Sequence, residues 1–216
     1  MPAVSKPLNM TDQVYHKIKE MMFDYKIVPG QRLVFTDLAE KLGVSRTPVN
    51  NALSLLAKEG FLDLVPHQGY RVHELTRDEA DSLLELRLIL ELGSLERVLA
   101  QMTAKRIKIL EKKKNQYEEA ALTGVNRGTF ILNEDFHYCY MEMAKNVYLL
   151  DYFKEINQRV FIRHRVEGYS AERTREVIQE HNQIYEAICR KDLKQARTAI
   201  EQHIIAGKEY ILSLHS

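Results

Sequence analysis

The segment from Ile27 to Val72 constrains the fold more than any other part of the chain. Leu38, Ala39 and Leu42 give a short helix an apolar face, and Gly43 follows where helices often end in a left-handed residue. A second helix is predicted to begin at Ser45, with apolar residues at the i, i+3, i+4 and i+7 positions: Val49, Ala52, Leu53 and Leu56. Two helices with so short a connection are typical of a helix-turn-helix.

Two short strands are predicted after the second helix, over Phe61–Val65 and Tyr70–Leu75. The residues between them are Pro-His-Gln-Gly, and Gly69 can adopt the positive φ that a tight hairpin needs. A hairpin directly after a helix-turn-helix forms a wing. Residues 10–75 are therefore predicted to form a winged helix-turn-helix domain, preceded by a flexible arm at residues 1–9.

The exposed face of the second helix carries polar side chains from Arg46 to Ser54 that suit base edges and phosphates in a major groove. We interpret the domain as one that binds double-stranded DNA, and the alternative is a winged helix used for protein contacts alone. The candidate DNA-binding residues are Arg32, Thr36, Ser45, Arg46, Thr47, Asn50, Asn51, His67, Gln68 and Gly69.

This segment resembles the winged-helix domain of the GntR family of bacterial transcription regulators. The resemblance rests on a Pro-Gly before the first leucine, LAEKLGVSRTPV, a Glu-Gly pair and a glycine-containing wing, in this order. The chain departs from the family at Asn50 and Asn51, where Arg-Glu usually follows SRTPV. Because asparagine pairs with adenine and arginine prefers guanine, we expect a different operator.

Bulk charge does not by itself indicate nucleic-acid binding, because the formal net charge is only +1. DNA affinity would then come from local placement of cations and from dimerisation. The two cysteines are too few for a disulfide framework and fit a reducing cytoplasm. No run of 18 apolar residues and no apolar N-terminal segment occurs. We expect no membrane span, no secretion signal and a cytoplasmic protein.

Residues 76–216 are predicted to form an all-helical domain. There is no proline between Arg77 and Leu214, and apolar residues recur at helical spacing in six blocks. The fold class predicted for the whole chain is therefore mainly α, a winged helix-turn-helix followed by a six-helix bundle. The six helices are expected near 77–102, 105–122, 127–144, 147–167, 171–190 and 192–214.

Three histidines of these helices, His137, His181 and His203, occupy positions where an amphipathic helix would place a leucine. Burying imidazoles without partners costs roughly 1–3 kcal/mol for each unsatisfied group, and a shared divalent cation removes that cost. Three neutral imidazoles suit Zn²⁺ first and Ni²⁺ second. The pattern predicts a metal site inside the bundle.

The same pattern resembles the FCD ligand-binding domain in the FadR branch of the GntR family, and the six helices resemble its VanR subgroup. In that domain an Asp or Asn and a His one helical turn apart join two further histidines around a metal. The resemblance implies Asn133, His137, His181 and His203 as metal ligands. Asparagine replaces the commoner aspartate here, and Glu134 is left open as the alternative fourth ligand.

A metal held by neutral side chains keeps its full charge and favours an anion. Arg87 lies on the buried stripe of the first bundle helix, and Arg163 borders the buried face of the fourth. Both are candidate effector-binding residues, because arginine binds carboxylates in a bidentate manner. Arg87 also precedes Glu91 by four residues, so these two side chains can simply pair with each other.

The leading hypothesis is a homodimeric DNA-binding transcription regulator, a repressor by the family's commoner habit, that senses a small organic acid at the metal. One alternative is a metal-dependent hydrolase-like enzyme, since catalytic zinc also uses three protein ligands. Another is a DNA-binding protein with a purely structural metal. The sequence lacks His-Glu-x-x-His, a glycine-rich phosphate loop and Gly-x-Ser-x-Gly, so we predict that the protein is not an enzyme.

Overall fold

A computed structural model describes residues 9–163 and 170–214. The predicted arm at 1–9 and the end of the helix predicted over 147–167 fall largely outside these residues. The described residues divide into two compact units. The first runs to Leu75 and also includes residues 161–163, and the second comprises the rest from Thr76 onward.

The first unit contains three helices and a small sheet: α1 (Met10–Phe23), β1 (Arg32–Leu33), α2 (Phe35–Leu42), α3 (Arg46–Lys58), β2 (Leu62–Val65) and β3 (Gly69–Val72). Helix α1 begins at Asn9, whose side chain accepts a hydrogen bond from the Asp12 backbone in a capping box. Its apolar face packs against α3. The buried residues of the two helices are Val14, Ile18, Met21, Met22, Val49, Ala52, Leu53 and Leu56.

The turn and the wing form where predicted, except that β3 ends at Val72 and not at Leu75. Helix α2 ends at Gly43, which has the left-handed φ of +66°. The strands form an antiparallel sheet in the order β1-β3-β2, and β2 and β3 are joined by the wing turn. Gly69 has a φ of +89°, and a Cβ there would lie 3.0 Å from the Leu33 carbonyl oxygen. Glycine is therefore required both by backbone conformation and by the close approach of β1.

The second unit is a bundle of helices: α4 (Arg77–Ala100), α5 (Ala104–Thr123), α6 (Arg127–Glu142), α7 (Val147–Arg163, apart from its last turn), α8 (Ala171–Cys189) and α9 (Leu193–Ser213). Four of these helices, α4, α6, α8 and α9, have an N-cap residue whose side chain accepts a hydrogen bond from a backbone N–H of the first turn. These residues are Thr76, Asn126, Ser170 and Asp192. The predicted mainly-α fold class is confirmed. None of the helices in the described ranges is long and apolar enough to span a membrane.

Candidate functional site

His137 of α6, His181 of α8 and His203 of α9 meet inside the second unit. One possible ligand atom from each lies within 4.8 Å of those of the other two. His137 and His181 are fully buried, and His203 is 6% exposed. The periodicity of the three helices thus brings the predicted residues together, while their binding of a metal stays a prediction.

The unpaired nitrogens of these rings fit a divalent metal. His137 Nε2 and both ring nitrogens of His181 are buried with no hydrogen-bond partner among the described residues. Buried polar atoms normally have a partner, and leaving one unsatisfied costs roughly 1–3 kcal/mol. Imidazole nitrogens held this close together are the donor set that Zn²⁺ or Ni²⁺ takes.

A buried network orients His137. Its Nδ1 lies 3.2 Å from Glu91 Oε2 and 2.8 Å from the Tyr140 hydroxyl, which itself donates to Glu91 Oε2. Arg87 Nε donates to Glu91 Oε1 at 2.8 Å. A carboxylate that accepts from Nδ1–H fixes the ring's tautomer and presents Nε2 to a metal.

A second network of the same kind orients His203. Its Nδ1 lies 2.7 Å from Glu180 Oε2, and Arg173 donates to both oxygens of Glu180 at 2.6 and 2.9 Å. Each of these two histidines is therefore held by a carboxylate that is itself paired with an arginine. His181 has no such partner in the described part of the chain. Tyr140, Arg173 and Glu180 were not among the site residues predicted from the sequence.

Glu180→Ala is expected to weaken zinc binding by about 10- to 100-fold, because His203 loses the acceptor that fixes its ring. Competition with a chromogenic chelator measures this affinity. The matched control is Glu186→Ala on the same helix, since Glu186 pairs with Arg190 on the exposed surface. Equal zinc affinity of the two variants would contradict the orienting role.

Burial determines the charge of two of the three histidines, His181 and His203. It lowers the pKa of His181 well below the ordinary value, and the nearby His203 and His137 lower it further. Burial also lowers the pKa of His203 to about 4, against the opposing effect of its hydrogen bond to the Glu180 carboxylate. Burial raises the pKa of Glu91, but His137 and Arg87 outweigh it and hold that pKa well below its usual range. His181 and His203 are therefore neutral at pH 7, the form that binds metals.

Arg87 pairs with Glu91 as the sequence spacing allowed, but this does not use all of its donors. Its Nη1 donates to Glu134 Oε1 at 3.0 Å, and its Nη2 is buried without a partner in the described ranges. The Asn133 amide also donates to Glu134 Oε1, at 3.0 Å. Among the described residues, Glu134 is not part of the group whose ligand atoms lie within 4.8 Å of one another. Asn133 as a metal ligand stays a prediction.

Arg163 belongs to the first unit, whereas the histidines lie in the second. Its backbone carbonyl accepts a hydrogen bond from the Leu75 N–H at 3.0 Å, and two residues earlier Phe161 contacts Phe23 with ring centroids 4.3 Å apart. The helix predicted over 147–167, which includes Arg163, was expected to belong to the helical bundle along its whole length. The effector-binding role of Arg163 stays a prediction.

Helix α3 exposes four of the ten residues that were assigned to DNA from the sequence. Arg46, Thr47, Asn50 and Asn51 are all exposed. Ser45 occupies the N-cap position but makes no side-chain capping bond. Ser54, by contrast, shares a 2.8 Å hydrogen bond with the hydroxyl of Tyr70 on β3, so its hydroxyl connects α3 to the wing.

The wing turn is held by Arg32, whose Nε donates to the Gln68 carbonyl at 2.8 Å. His67 in this turn has a φ of +60°. Thr36, at the start of α2, donates to Asp37 at 3.0 Å. Arg71 lies opposite Arg32 in the sheet and is also exposed, so this sheet presents two cations to solvent. The alternation of buried and exposed positions along β3 places Arg71 on the exposed face.

Models of known protein families match residues in both units of the structure. Residues 82–206 match the model of the FCD domain, and residues 10–72 match that of the bacterial regulatory proteins of the gntR family. The chain belongs to the GntR family and carries an FCD domain. It is a DNA-binding transcription regulator and not an enzyme, as predicted.

Individual relatives agree with this assignment. This GntR-family chain is 29% identical over 205 residues to the uncharacterized HTH-type transcriptional regulator YdhC of Bacillus subtilis (strain 168), covering 94% of the chain and 89% of YdhC. It is 30% identical over 141 residues to the Nta operon transcriptional regulator of Aminobacter aminovorans, covering 65% and 66% of the two chains. The solved structure of McbR/YncC from E. coli superimposes with a TM-score of 0.82 at 22% identity, covering 97% and 100%. That structural likeness supports the fold.

Proposed function

We propose that this regulator is a cytoplasmic homodimeric repressor that responds to a small organic acid bound at a divalent metal in its FCD domain. The observation that carries the proposal is the buried cluster of His137, His181 and His203, with unpartnered ring nitrogens, in the same chain as a winged helix. We further infer Zn²⁺ as the metal, with Ni²⁺ second, and membership of the VanR subgroup.

The three histidines would hold the metal, with Asn133 as the candidate fourth protein ligand. A divalent ion bound by neutral side chains supplies the positive charge to which a carboxylate binds. Arg87 Nη2 is buried without a partner among the described residues and offers a further donor for the same carboxylate. An acid bound here contacts groups from α4 and from the three histidine-bearing helices.

Operator binding measured with and without acids tests this function. A ligand shifts an equilibrium only through different affinities for two states, so the effector must bind the DNA-free form better. We expect zinc-loaded protein to lose operator affinity by roughly 5- to 150-fold when the effector is present. Chelator-treated protein should still bind DNA without responding. An equal response without metal, or no response to any acid, would favour a purely structural metal instead.

Dimerisation is expected because a winged domain with nearly balanced charge makes few phosphate contacts by itself. Helix α4 exposes Leu86 and Ile89, which are 43% and 58% exposed, on the surface of the FCD domain. We infer that a second copy covers this apolar surface. Sedimentation of the protein alone and on operator DNA is expected to show two chains. A stable monomer in both states would contradict the proposal.

Asn50→Arg is expected to change which base the recognition helix prefers. Asn50 is exposed on α3, and asparagine pairs with adenine N6 and N7 while arginine pairs with guanine O6 and N7. Selection from a randomised operator pool should shift toward guanine at one position, by a discrimination of ~1–3 kcal/mol. Arg46→Ala is the comparison variant, since the loss of a phosphate contact weakens binding to all operator sequences alike. An unchanged consensus for Asn50→Arg would exclude Asn50 from base recognition.

A further inference from the structure

Arg87 and Glu134 form an ion pair in which each partner keeps one unsatisfied atom. Arg87 Nη1 donates to Glu134 Oε1 at 3.0 Å, and Arg87 Nε is held by Glu91. Arg87 Nη2 and Glu134 Oε2 are both buried, and neither has a partner in the part of the chain that the structure describes. Arginine keeps its proton and an ionised carboxylate only accepts, so the pair offers one free donor and one free acceptor.

This pair is connected to the histidine cluster. Glu134 lies three residues before His137, one turn earlier on the same face of α6. Arg87 reaches the same histidine through Glu91, whose two oxygens bind Arg87 Nε and His137 Nδ1. The two unsatisfied atoms therefore belong to the hydrogen-bonded network that orients His137.

The charge around the cluster favours a ligand with a single negative charge. Two arginines and three glutamates, all buried or largely buried, are connected to the histidines through hydrogen bonds. Glu176 also pairs with Arg173, but its side chain is 53% exposed, so it is not counted with the buried charges. Together the five carry one net negative charge, which a divalent metal changes to one net positive charge. Uncompensated buried charge is costly, so a monoanion is the best complement. The five are Arg87, Arg173, Glu91, Glu134 and Glu180.

We propose that the effector is a hydroxy monocarboxylic acid whose carboxylate binds the metal centre and Arg87 Nη2 while its hydroxyl donates to Glu134 Oε2. The proposal rests on the acid-sensing function proposed above. A plain carboxylic acid leaves Glu134 Oε2 buried and unpaired. An amino acid satisfies that oxygen with its ammonium group, but it is neutral overall and leaves the charge of the site uncancelled.

Calorimetry with matched acids tests the proposal on zinc-loaded full-length protein. The pairs are lactate against propionate and 3-hydroxybutyrate against butyrate, which differ by one hydroxyl group. We expect the hydroxylated member of each pair to bind about tenfold more tightly, the effect of one hydrogen bond to a charged acceptor. Malate, with a second negative charge, and alanine, with an ammonium group, are expected to bind more weakly than lactate.

Variants of Glu134 identify the acceptor. Glu134→Leu should narrow the lactate-to-propionate ratio to about twofold or less, because the hydroxyl loses its partner. Glu134→Gln keeps an oxygen for Arg87, so it covers the case in which the leucine variant does not fold. It should also narrow the ratio, because an amide NH2, which cannot accept a hydrogen bond, then replaces Oε2. The control is Glu142→Leu on the same helix, where the side chain is exposed, and it should keep the wild-type ratio.

The outcomes distinguish a failure of the hydroxy-acid proposal from a failure of the proposed acid-sensing function. Equal binding of the hydroxylated and plain acids, or an unchanged ratio in both Glu134 variants, would overturn the hydroxy acid and leave acid sensing intact. Tighter binding of alanine than lactate would also overturn it. If none of these acids binds to zinc-loaded protein, both the hydroxy acid and the acid-sensing function are wrong.

Discussion

His181→Ala is expected to give a protein that binds almost no metal and melts at a lower temperature, yet still binds its operator. Both ring nitrogens of His181 are buried without a partner among the described residues, so only the metal would use them. Metal binding at such a site contributes to the free energy of folding. Losing ~2 kcal/mol would lower the melting temperature by ~4–8 °C. The winged helix has its own core, so DNA binding should remain.

The control for this variant is His16→Ala, because His16 is exposed on α1 in the first unit. Elemental analysis, calorimetry and operator binding by fluorescence anisotropy measure the three properties. If wild-type protein prepared without chelators contains no metal, and His181→Ala responds to the effector normally, then the proposed metal centre does not exist.

Glu91→Ala is expected to reduce the free energy of unfolding by about 3–5 kcal/mol, the usual effect of removing one partner from a buried ion pair. Glu91 is fully buried and accepts hydrogen bonds from Arg87, Tyr140 and His137. Without Glu91, Arg87, which is 7% exposed, keeps Glu134 as its carboxylate partner among the described residues. Chemical denaturation followed by circular dichroism measures the loss.

Two further proteins test whether the loss of stability comes from the buried ion pair. Glu85→Ala removes an exposed glutamate from the same helix and should change stability little. The double variant Arg87→Met with Glu91→Leu replaces the pair by apolar side chains and should recover part of the loss, since no guanidinium is then left without its partner. A Glu91→Ala protein as stable as Glu85→Ala would mean that the network contributes nothing to folding.

The histidine cluster was predictable because helical periodicity fixes which side of a helix a residue faces. His137, His181 and His203 each replace an apolar residue on a buried stripe, and burial in a common core brings three such positions together. The wing followed from a similarly local signal, since Gly69 marks the hairpin turn. Strand β1 spans only two residues, too few for an alternating pattern.

The carboxylates that hold the histidines were not predictable, because their pairings cross from one helix to another. Glu180 is next to His181 in the sequence, but its carboxylate contacts His203 of α9 instead. Local spacing indicates only which residues share a face, and it says nothing of which side chain on a neighbouring helix will meet them. The place of Phe161 in the first unit escaped prediction for the same reason, since its ring packs on Phe23, far away in the sequence.

The three histidines are widely separated along the polypeptide, and the last of them lies on α9. An unfolded chain would have to close two long loops to bring them together, which opposes metal capture before folding. A nascent or proteolysed chain that stops before α9 has only two of the three imidazoles. Under the function proposed above, bound metal should therefore distinguish fully synthesised, folded molecules from truncated ones, and incomplete chains would carry a winged helix without the proposed ligand site.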